Sequence, residues 1–269
     1  MKILFVGDIV GRPGRAAFTH LGPDLAAEFD AQFVIVNGEN AAAGYGVTKN
    51  TVTELLNGGA DCLTTGNHVW SQKESYGLID SEYRLLRPAN YPPGAPGLGA
   101  RIYETRDGHR IGVVNLLGRV FMDAIDCPFR VGDQIVAELG DETSLIVVDF
   151  HAEATSEKMA LARYLDGRVT AVIGTHTHVQ TADERILGKG TAFITDVGMT
   201  GPTETVIGVE PETVIRKFIN ALPAKFEVPK SGPTMLCGVV VTADPKTGRA
   251  QSIERVRRPY RSTGDDAKD

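Results

Sequence analysis

Six short runs of almost continuous apolar residues limit most strongly how this chain can fold: "ILFV" (3–6), "FVIV" (33–36), "CLTT" (62–65), "IGVVNLL" (111–117), "LIVVDF" (145–150) and "TAVIGT" (170–175). A strand with one wet face alternates apolar and polar residues, so unbroken runs predict strands covered on both faces. Helix-like stretches lie between them. "TKNTVTELLNGG" offers Thr48 as N-cap and stops at Gly58-Gly59, and "TSEKMALARYLDG" starts at Thr155 or Ser156 and ends at Gly167. "EPETVIRKFINAL" has Pro211 in its first turn and apolar residues at Val214, Ile215, Phe218, Ile219 and Leu222. Strands that alternate with helices predict a layered α/β protein with a largely parallel sheet.

Two regions break this rhythm. Residues 87–101, "RPANYPPGAPGLGAR", are rich in Pro and Gly and read as a long ordered loop, while 234–256 hold two strand-like runs around a turn, an expected antiparallel hairpin. No linker or repeat divides the chain, so residues 1–260 are expected to form one domain, with "RSTGDDAKD" (261–269) as a frayed polar tail. With 42% hydrophobic and 23% charged residues, a chain of 269 residues can bury a full core. Its net charge of −6 argues against a broad nucleic-acid surface and leaves room for a small phosphorylated substrate. Cys62, Cys127 and Cys237 form no CxxC pair and read as small buried thiols of a reducing compartment. The N-terminal apolar run stops at Gly7-Asp8, too short for a signal-peptide core or a membrane span, so the expected location is the cytoplasm.

In open α/β sheets, ligands collect beyond the carboxyl ends of the strands. Here those ends carry Asp8, then Glu39 and Asn40, then Asn67 and His68, then His151, then His176 and His178. The other two of the six histidines, His20 and His109, sit in a helical stretch and a turn and read as fillers. A single strand-end Asp or His usually caps or packs. The His176-x-His178 pair is different, because alternate residues of a strand-like segment share a face and can reach one centre. The set is a shell of oxygen and nitrogen donors without thiolate, which suits manganese, iron or zinc better than magnesium or calcium. It also holds more donors than one ion requires. Glu39 is the free carboxylate in its middle, and its two oxygens can join two cations about 4 Å apart.

These residues sit in recognisable motifs. "GD", "GNH" and "GTHTH", in this order on successive strands, resemble the calcineurin-like metallophosphoesterases. "MKILFVGDIVGRPGR", "NGENAAAGYGVT", "TTGNHVW", "VDFHAE", "GTHTHVQTADERIL" and "TDVGMTGP" are similar to one branch, the YmdB-like phosphodiesterases, over residues 1 to 202. Two departures from the wider superfamily fit that branch: Asp8 is followed by Ile9 and Val10 where Asp-x-His is usual, and Glu39 stands where an Asp is usual. The resemblance implies a β-sandwich of two sheets flanked by helices, a four-layer αββα arrangement. It implies one metal held by Asp8, Glu39, Asn40 and His178, and another held by Glu39, Asn67, His151 and His176. Iron or manganese is favoured by it, with zinc accommodated.

The activity implied is hydrolysis of 2′,3′-cyclic nucleotides to 3′-nucleotides, with weaker action on 3′,5′-cyclic nucleotides. Two cations neutralise phosphate charge and bring a bound water towards ionisation near neutral pH. His68, next to Asn67, is the expected general acid towards the leaving oxygen. Residues 118–123 and 198–208 follow chemistry-bearing strands and are candidates for shaping the pocket. Competing readings are a metal-binding regulator working through RNA-processing partners, a metallohydrolase for another phosphoester, and a dinucleotide-binding turn at "GDIVGRPG". The last lacks GxGxxG spacing and puts Asp8 against a pyrophosphate. No membrane partner is expected, and a homo-oligomer is left open.

Overall fold

All six apolar runs become strands, but they divide between two sheets. The computed structural model describes residues 1–261, so the tail expected over 261–269 lies, apart from Arg261, outside the described residues. The first half of the chain runs β1 (Lys2–Val6), β2 (Asp8–Ile9), α1 (Gly11–Glu28), β3 (Phe33–Asn37), α2 (Lys49–Asn57), β4 (Cys62–Thr64), α3 (Ser75–Ser81), β5 (Ala100–Glu104) and β6 (Arg110–Leu117). There follow α4 (Pro128–Gly140), β7 (Leu145–His151), α5 (Thr155–Leu165), β8 (Ala171–Thr175), β9 (Arg185–Ile186) and β10 (Ala192–Ile194). The last elements are β11 (Met199–Pro202), α6 (Pro211–Asn220), β12 (Thr234–Ala243) and β13 (Ala250–Tyr260).

The seven-stranded sheet has the order β2-β11-β12-β1-β3-β4, with β13 also paired to β12. The six-stranded sheet has the order β5-β6-β7-β8-β10-β9. Parallel pairing holds at the centre of each, through β1-β3-β4 and β6-β7-β8-β10. Antiparallel strands complete them: β12 beside β1, β13 beside β12, and β5 and β9 at the ends of the second sheet. One largely parallel sheet, the expectation from pattern alone, is therefore corrected to two mixed ones.

The reason lies in the alternation along each strand. On β1, Ile3 and Phe5 enter the core between the sheets, while Leu4 and Val6 enter the core under α1 and α2. Strand β7 does the same from the other side: Leu145 and Val147 face the first sheet, and Ile146, Val148 and Phe150 face α4 and α5. Both faces are dry, so the sequence period of two is erased. Truncating Phe5, fully buried in the middle layer, is expected to cost about 3–5 kcal/mol.

Helix α2 starts as its Thr48 suggests. The Thr48 hydroxyl accepts from the Thr51 N–H at 3.3 Å, and the Thr51 hydroxyl accepts from the Thr48 N–H at 2.9 Å, a reciprocal cap. Helix α5 starts at Thr155, one of the two expected positions, with Ala154 as an uncapped flank. The helical stretch expected around His20 forms as α1, with Pro13 in its first turn, where a missing N–H costs no helical bond. The 234–256 hairpin forms as β12 and β13. Cys62 and Cys237 are buried as expected, whereas Cys127 is only half-buried at the start of α4. Helix α6 departs furthest: Val214 is buried, but Ile215, Phe218, Ile219 and Leu222 are exposed. Among the described residues no helix is long and apolar enough to cross a membrane.

Candidate functional site

The carboxyl ends of β3, β4, β7 and β8 meet at one edge of the two sheets, and the chain turns there. Asp8, on β2, pairs with Met199 of β11 and is fully buried. Glu39 and Asn40 follow β3 and are buried too, with Val10 bridging to Asn40. Asn67 and His68 lie in the turn after β4, half-buried, and His151 is the last residue of β7, with no exposed surface. His176 and His178 come after β8 rather than within a strand, both at left-handed backbone, φ 99° and 65°. The shared strand face expected for this pair is thus replaced by a turn. Such backbone is unfavourable for a side chain bearing Cβ and persists only where surroundings enforce it. Asp196 is part of that enforcement: it accepts from the Thr177 N–H at 3.0 Å and the Gly198 N–H at 2.8 Å, and forms a fully buried 2.7 Å ion pair with Lys158.

Two groups of donors result. Asn40 Nδ2 lies 3.0 Å from His178 Nε2, and His178 Nδ1 donates to the Ile207 carbonyl at 2.7 Å. In the second group, His151 Nε2 is 3.0 Å from His176 Nδ1, 3.1 Å from Asn67 Oδ1 and 3.7 Å from Glu39 Oε1. Asp8 touches the second group through a 3.6 Å approach of Oδ1 to His151 Nδ1, and accepts from the His176 N–H at 3.2 Å. Glu39 Oε1 accepts from the His68 N–H at 2.6 Å. The His68 ring stands edge-on to Tyr45, centroids 5.0 Å apart.

The tautomers follow from outer partners. Thr175 Oγ1 donates to Asp149 Oδ1 at 2.7 Å, so the 3.0 Å contact with His151 Nδ1 is a donation from the ring. His151 Nε2 therefore carries a lone pair. His176 Nε2 lies 3.2 Å from Glu153 Oε2, which leaves Nδ1 as the lone-pair atom turned to His151. Asp149 itself is buried, held also by Asn37 Nδ2 at 2.8 Å and by Thr64. Histidine ligands backed by a hydroxyl or carboxylate in this way are the rule in metal centres. Gly66 makes room for the arrangement, since a Cβ there would stand 2.2 Å from His151 Cδ2.

Charge makes the same point. Asp8 Oδ1 and Glu39 Oε2 are buried without a hydrogen-bond partner among the described residues. Burial raises Asp8 to about 7, with Asp196 adding to it, and raises Glu39 to about 8 despite the His68 amide. Burial likewise pushes His151 well below the ordinary imidazole value and His176 down to about 4, with neighbouring imidazoles adding to both. Two carboxylates that resist ionising face lone pairs that resist protonation. One or more cations satisfy all of them at once, because an isolated buried charge costs several kcal/mol. Donor atoms about 3 Å apart also match neighbouring ligands around an ion with bonds of roughly 2.1 Å. Among the described residues no three His, Cys, Asp or Glu side chains alone make a metal-binding cluster. The convergent set here includes two amides, Asn40 and Asn67, so residues that fit cations are present without such a cluster.

A profile of the YmdB-like protein family matches residues 4–256. The chain belongs to that family. The match extends well past the motif-bearing residues 1–202, into β12 and β13. Among the chain's relatives is a Bacillus subtilis protein named 2′,3′-cyclic-nucleotide 2′-phosphodiesterase, 50% identical, with 95% of this chain and 96% of the relative covered. The crystal structure of a hypothetical protein from Thermus thermophilus superposes with a TM-score of 0.90 at 42% identity, covering 96% of this chain and 99% of that one. A structure described as a novel phosphatase from Mycoplasma pneumoniae gives 0.90 at 36% identity, covering 96% and 93%.

In this YmdB-like chain the site opens into a cavity of about 750 Å³. Asn40, His68, His176 and His178 line one wall, and Asp8, Glu39, Asn67 and His151 lie outside the lining set. Of the two loops expected to shape the pocket, 198–208 contributes Val206 and Ile207, while 118–123 contributes no lining residue. His20 and His109 stay away from the site, hydrogen-bonded to Ala16 and close to Asp107 respectively. The sequence reading passed over Asp149, Asp196, Lys158, Glu153 and Thr175. A signal existed for Asp149, a carboxylate inside the apolar run "LIVVDF".

Proposed function

We propose that this chain is a two-cation phosphodiesterase that opens 2′,3′-cyclic nucleotides to 3′-nucleotides and acts more weakly on 3′,5′-cyclic nucleotides. The observation that carries the reading is the pair of buried oxygens Asp8 Oδ1 and Glu39 Oε2, without a hydrogen-bond partner among the described residues, beside five convergent imidazole and amide side chains, Asn40, Asn67, His151, His176 and His178. The name of the Bacillus relative supports the substrate class. Asp8, Glu39, Asn40 and His178 would hold one ion and Glu39, Asn67, His151 and His176 the other, with Glu39 shared between them. Iron or manganese suits this set of oxygen and imidazole donors, with zinc an alternative. When bound, such ions supply charge neutralisation at phosphate and a more acidic water.

The chain's own groups do the rest. Water oxygen bonds to phosphorus, the P–O2′ bond breaks, and the departing 2′-oxygen takes a proton. His68 would supply that proton: its ring lines the cavity, and its backbone N–H donates to Glu39. Tyr45 buttresses the ring edge-on. We read the whole as the calcineurin-like metallophosphoesterase fold, one domain over residues 1–260, working in the cytoplasm on a small diester without direct nucleic-acid binding.

The test is metal analysis of the purified protein joined to a substrate panel of 2′,3′- and 3′,5′-cyclic nucleotides, phosphomonoesters and oligonucleotides, with Asp8→Ala as control. Two ions per chain, fastest turnover of a 2′,3′-cyclic nucleotide and loss of both in the variant are expected. Fastest turnover of an oligonucleotide or a phosphomonoester would overturn the substrate, and full turnover after chelation would overturn the centre.

A further inference from the structure

The cavity that holds the polar site has a second wall that the chemistry above leaves unused. It is built from Ile207 in the 205–209 turn, Val214 and Phe218 of α6, and Phe226 and Val228 of the segment after α6. Phe218 is 84% exposed and Ile207 53%, so apolar groups stand in solvent beside a cluster of buried charges. Phe226 is not adrift: Lys217 Nζ lies 4.6 Å from its ring centroid, a contact that orients the ring and leaves the ammonium at the cavity margin. Tyr45 lines the same cavity against His68. A volume of about 750 Å³ is in the range of sites that enclose small organic ligands.

A ligand that matches both walls at once is anionic at one end and flat and apolar at the other. Resting on the reading of the site as a cyclic-nucleotide phosphodiesterase, we propose that this apolar wall is the nucleobase subsite, with Phe218 and Phe226 as its specificity-determining side chains. Continuity decides the occupant, because His68, His176 and His178 line the very cavity whose far wall is Phe218 and Phe226. Among the aromatic lining residues, Tyr45 stands against His68 on the polar side, so Phe218 and Phe226 are the rings that face a base attached to the ribose of a phosphate held there. Ring faces recognise bases by stacking, which every base allows, and Lys217 is the one charged side chain on this wall. The subsite therefore accepts all four bases and favours purines, whose larger rings cover more of the exposed apolar surface.

The experiment compares kcat/KM of the metal-loaded enzyme for adenosine 2′,3′-cyclic phosphate, cytidine 2′,3′-cyclic phosphate and ribose 2′,3′-cyclic phosphate, which lacks a base. Wild type should prefer the nucleotides over the base-free ester by roughly 10- to 100-fold, mainly through KM, with adenosine ahead of cytidine. In Phe218→Ala that nucleotide-to-ribose ratio should fall at least several-fold. Phe226→Leu, which keeps bulk but removes the ring, should lower it less. Because Phe218 is so exposed, its truncation leaves folding intact, and a circular dichroism spectrum matching wild type checks this. A wild-type ratio near one, or a ratio unmoved by Phe218→Ala, overturns the subsite while leaving the phosphodiesterase reading in place. Absence of turnover on all three esters overturns that reading and the subsite with it.

Discussion

The two walls of the cavity are held by different physics. Behind the polar wall the donors are held in place by hydrogen bonds: Asp149 fixes Thr175, Thr175 fixes His151, and the His68 amide fixes Glu39, while on the wall itself the Ile207 carbonyl fixes His178. On the apolar wall Phe218 and Ile207 stand largely in solvent, and of the apolar residues that amphipathic spacing would have sent to the core only Val214 and Phe218 border the cavity, while Ile215, Ile219 and Leu222 are exposed outside it. The first wall is ordered before anything binds, which is what charge chemistry requires, since donors must not reorganise during the reaction. On the proposed subsite reading, the exposed Phe218 would gain apolar contacts when a base binds. If the proposed roles hold, chemistry and recognition are separated in one cavity, and changes on either wall should show different signatures.

The largest expected effect is on the polar wall. Glu39→Ala would remove the carboxylate proposed to be shared between two ions, with several kcal/mol of charge stabilisation, so turnover should fall roughly 10³-fold or more, with ion content dropping in parallel by elemental analysis. His68→Ala should lower kcat about 10²-fold while ion content stays at the wild-type value; a parallel loss of metal would move His68 into the ligand set. Asp149→Asn leaves all the donors in place but weakens the support of His151, and metal affinity measured by competition with a chelator should fall about 10- to 100-fold.

A subtler break uses pH. Asp8, Asp149 and Glu39 hold their protons to about 7, 7 and 8 in the fold, chiefly through burial, whereas unfolded carboxyls titrate near 4. Their contribution is complete below the unfolded value and is lost as pH rises through the folded one. The imidazoles, lowered by burial, are neutral in both states well above their ordinary value and add little slope there. Metal-stripped protein should therefore lose stability between pH 7 and 9, by on the order of 1 kcal/mol from Glu39 alone. Glu39→Gln should flatten that fall in thermal melts, and added manganese should abolish it. At the small end, Ile219→Ser on α6, a residue 80% exposed, should change stability by no more than about 0.5 kcal/mol. A larger loss in denaturant titration would mean that the apolar face of α6 is packed in solution.

The same contrast explains what could be read beforehand. Strand positions were legible because buried strands announce themselves by apolar runs, and the site residues because they follow those runs directly. The division into two sheets was not, since Ile3 and Leu4 are equally apolar whichever layer each one faces. Nor was the turn at His176 and His178, whose left-handed backbone is imposed by Asp196 and Lys158 from distant parts of the chain. Asp149 was obscured in a similar way, lying in a run that reads simply as strand. Helix α6 shows the opposite failure: its periodicity is clear, but periodicity says which residues share a face and not what covers that face.

The central claim is that one glutamate lies between two cations. Crystals grown with manganese and measured for anomalous scattering test it directly. The account predicts two anomalous peaks on either side of the Glu39 carboxylate, one against Asn40 and His178 and one against Asn67, His151 and His176. A single peak that leaves Glu39 Oε2 unliganded, or no peak with these side chains placed as they are here, would contradict it.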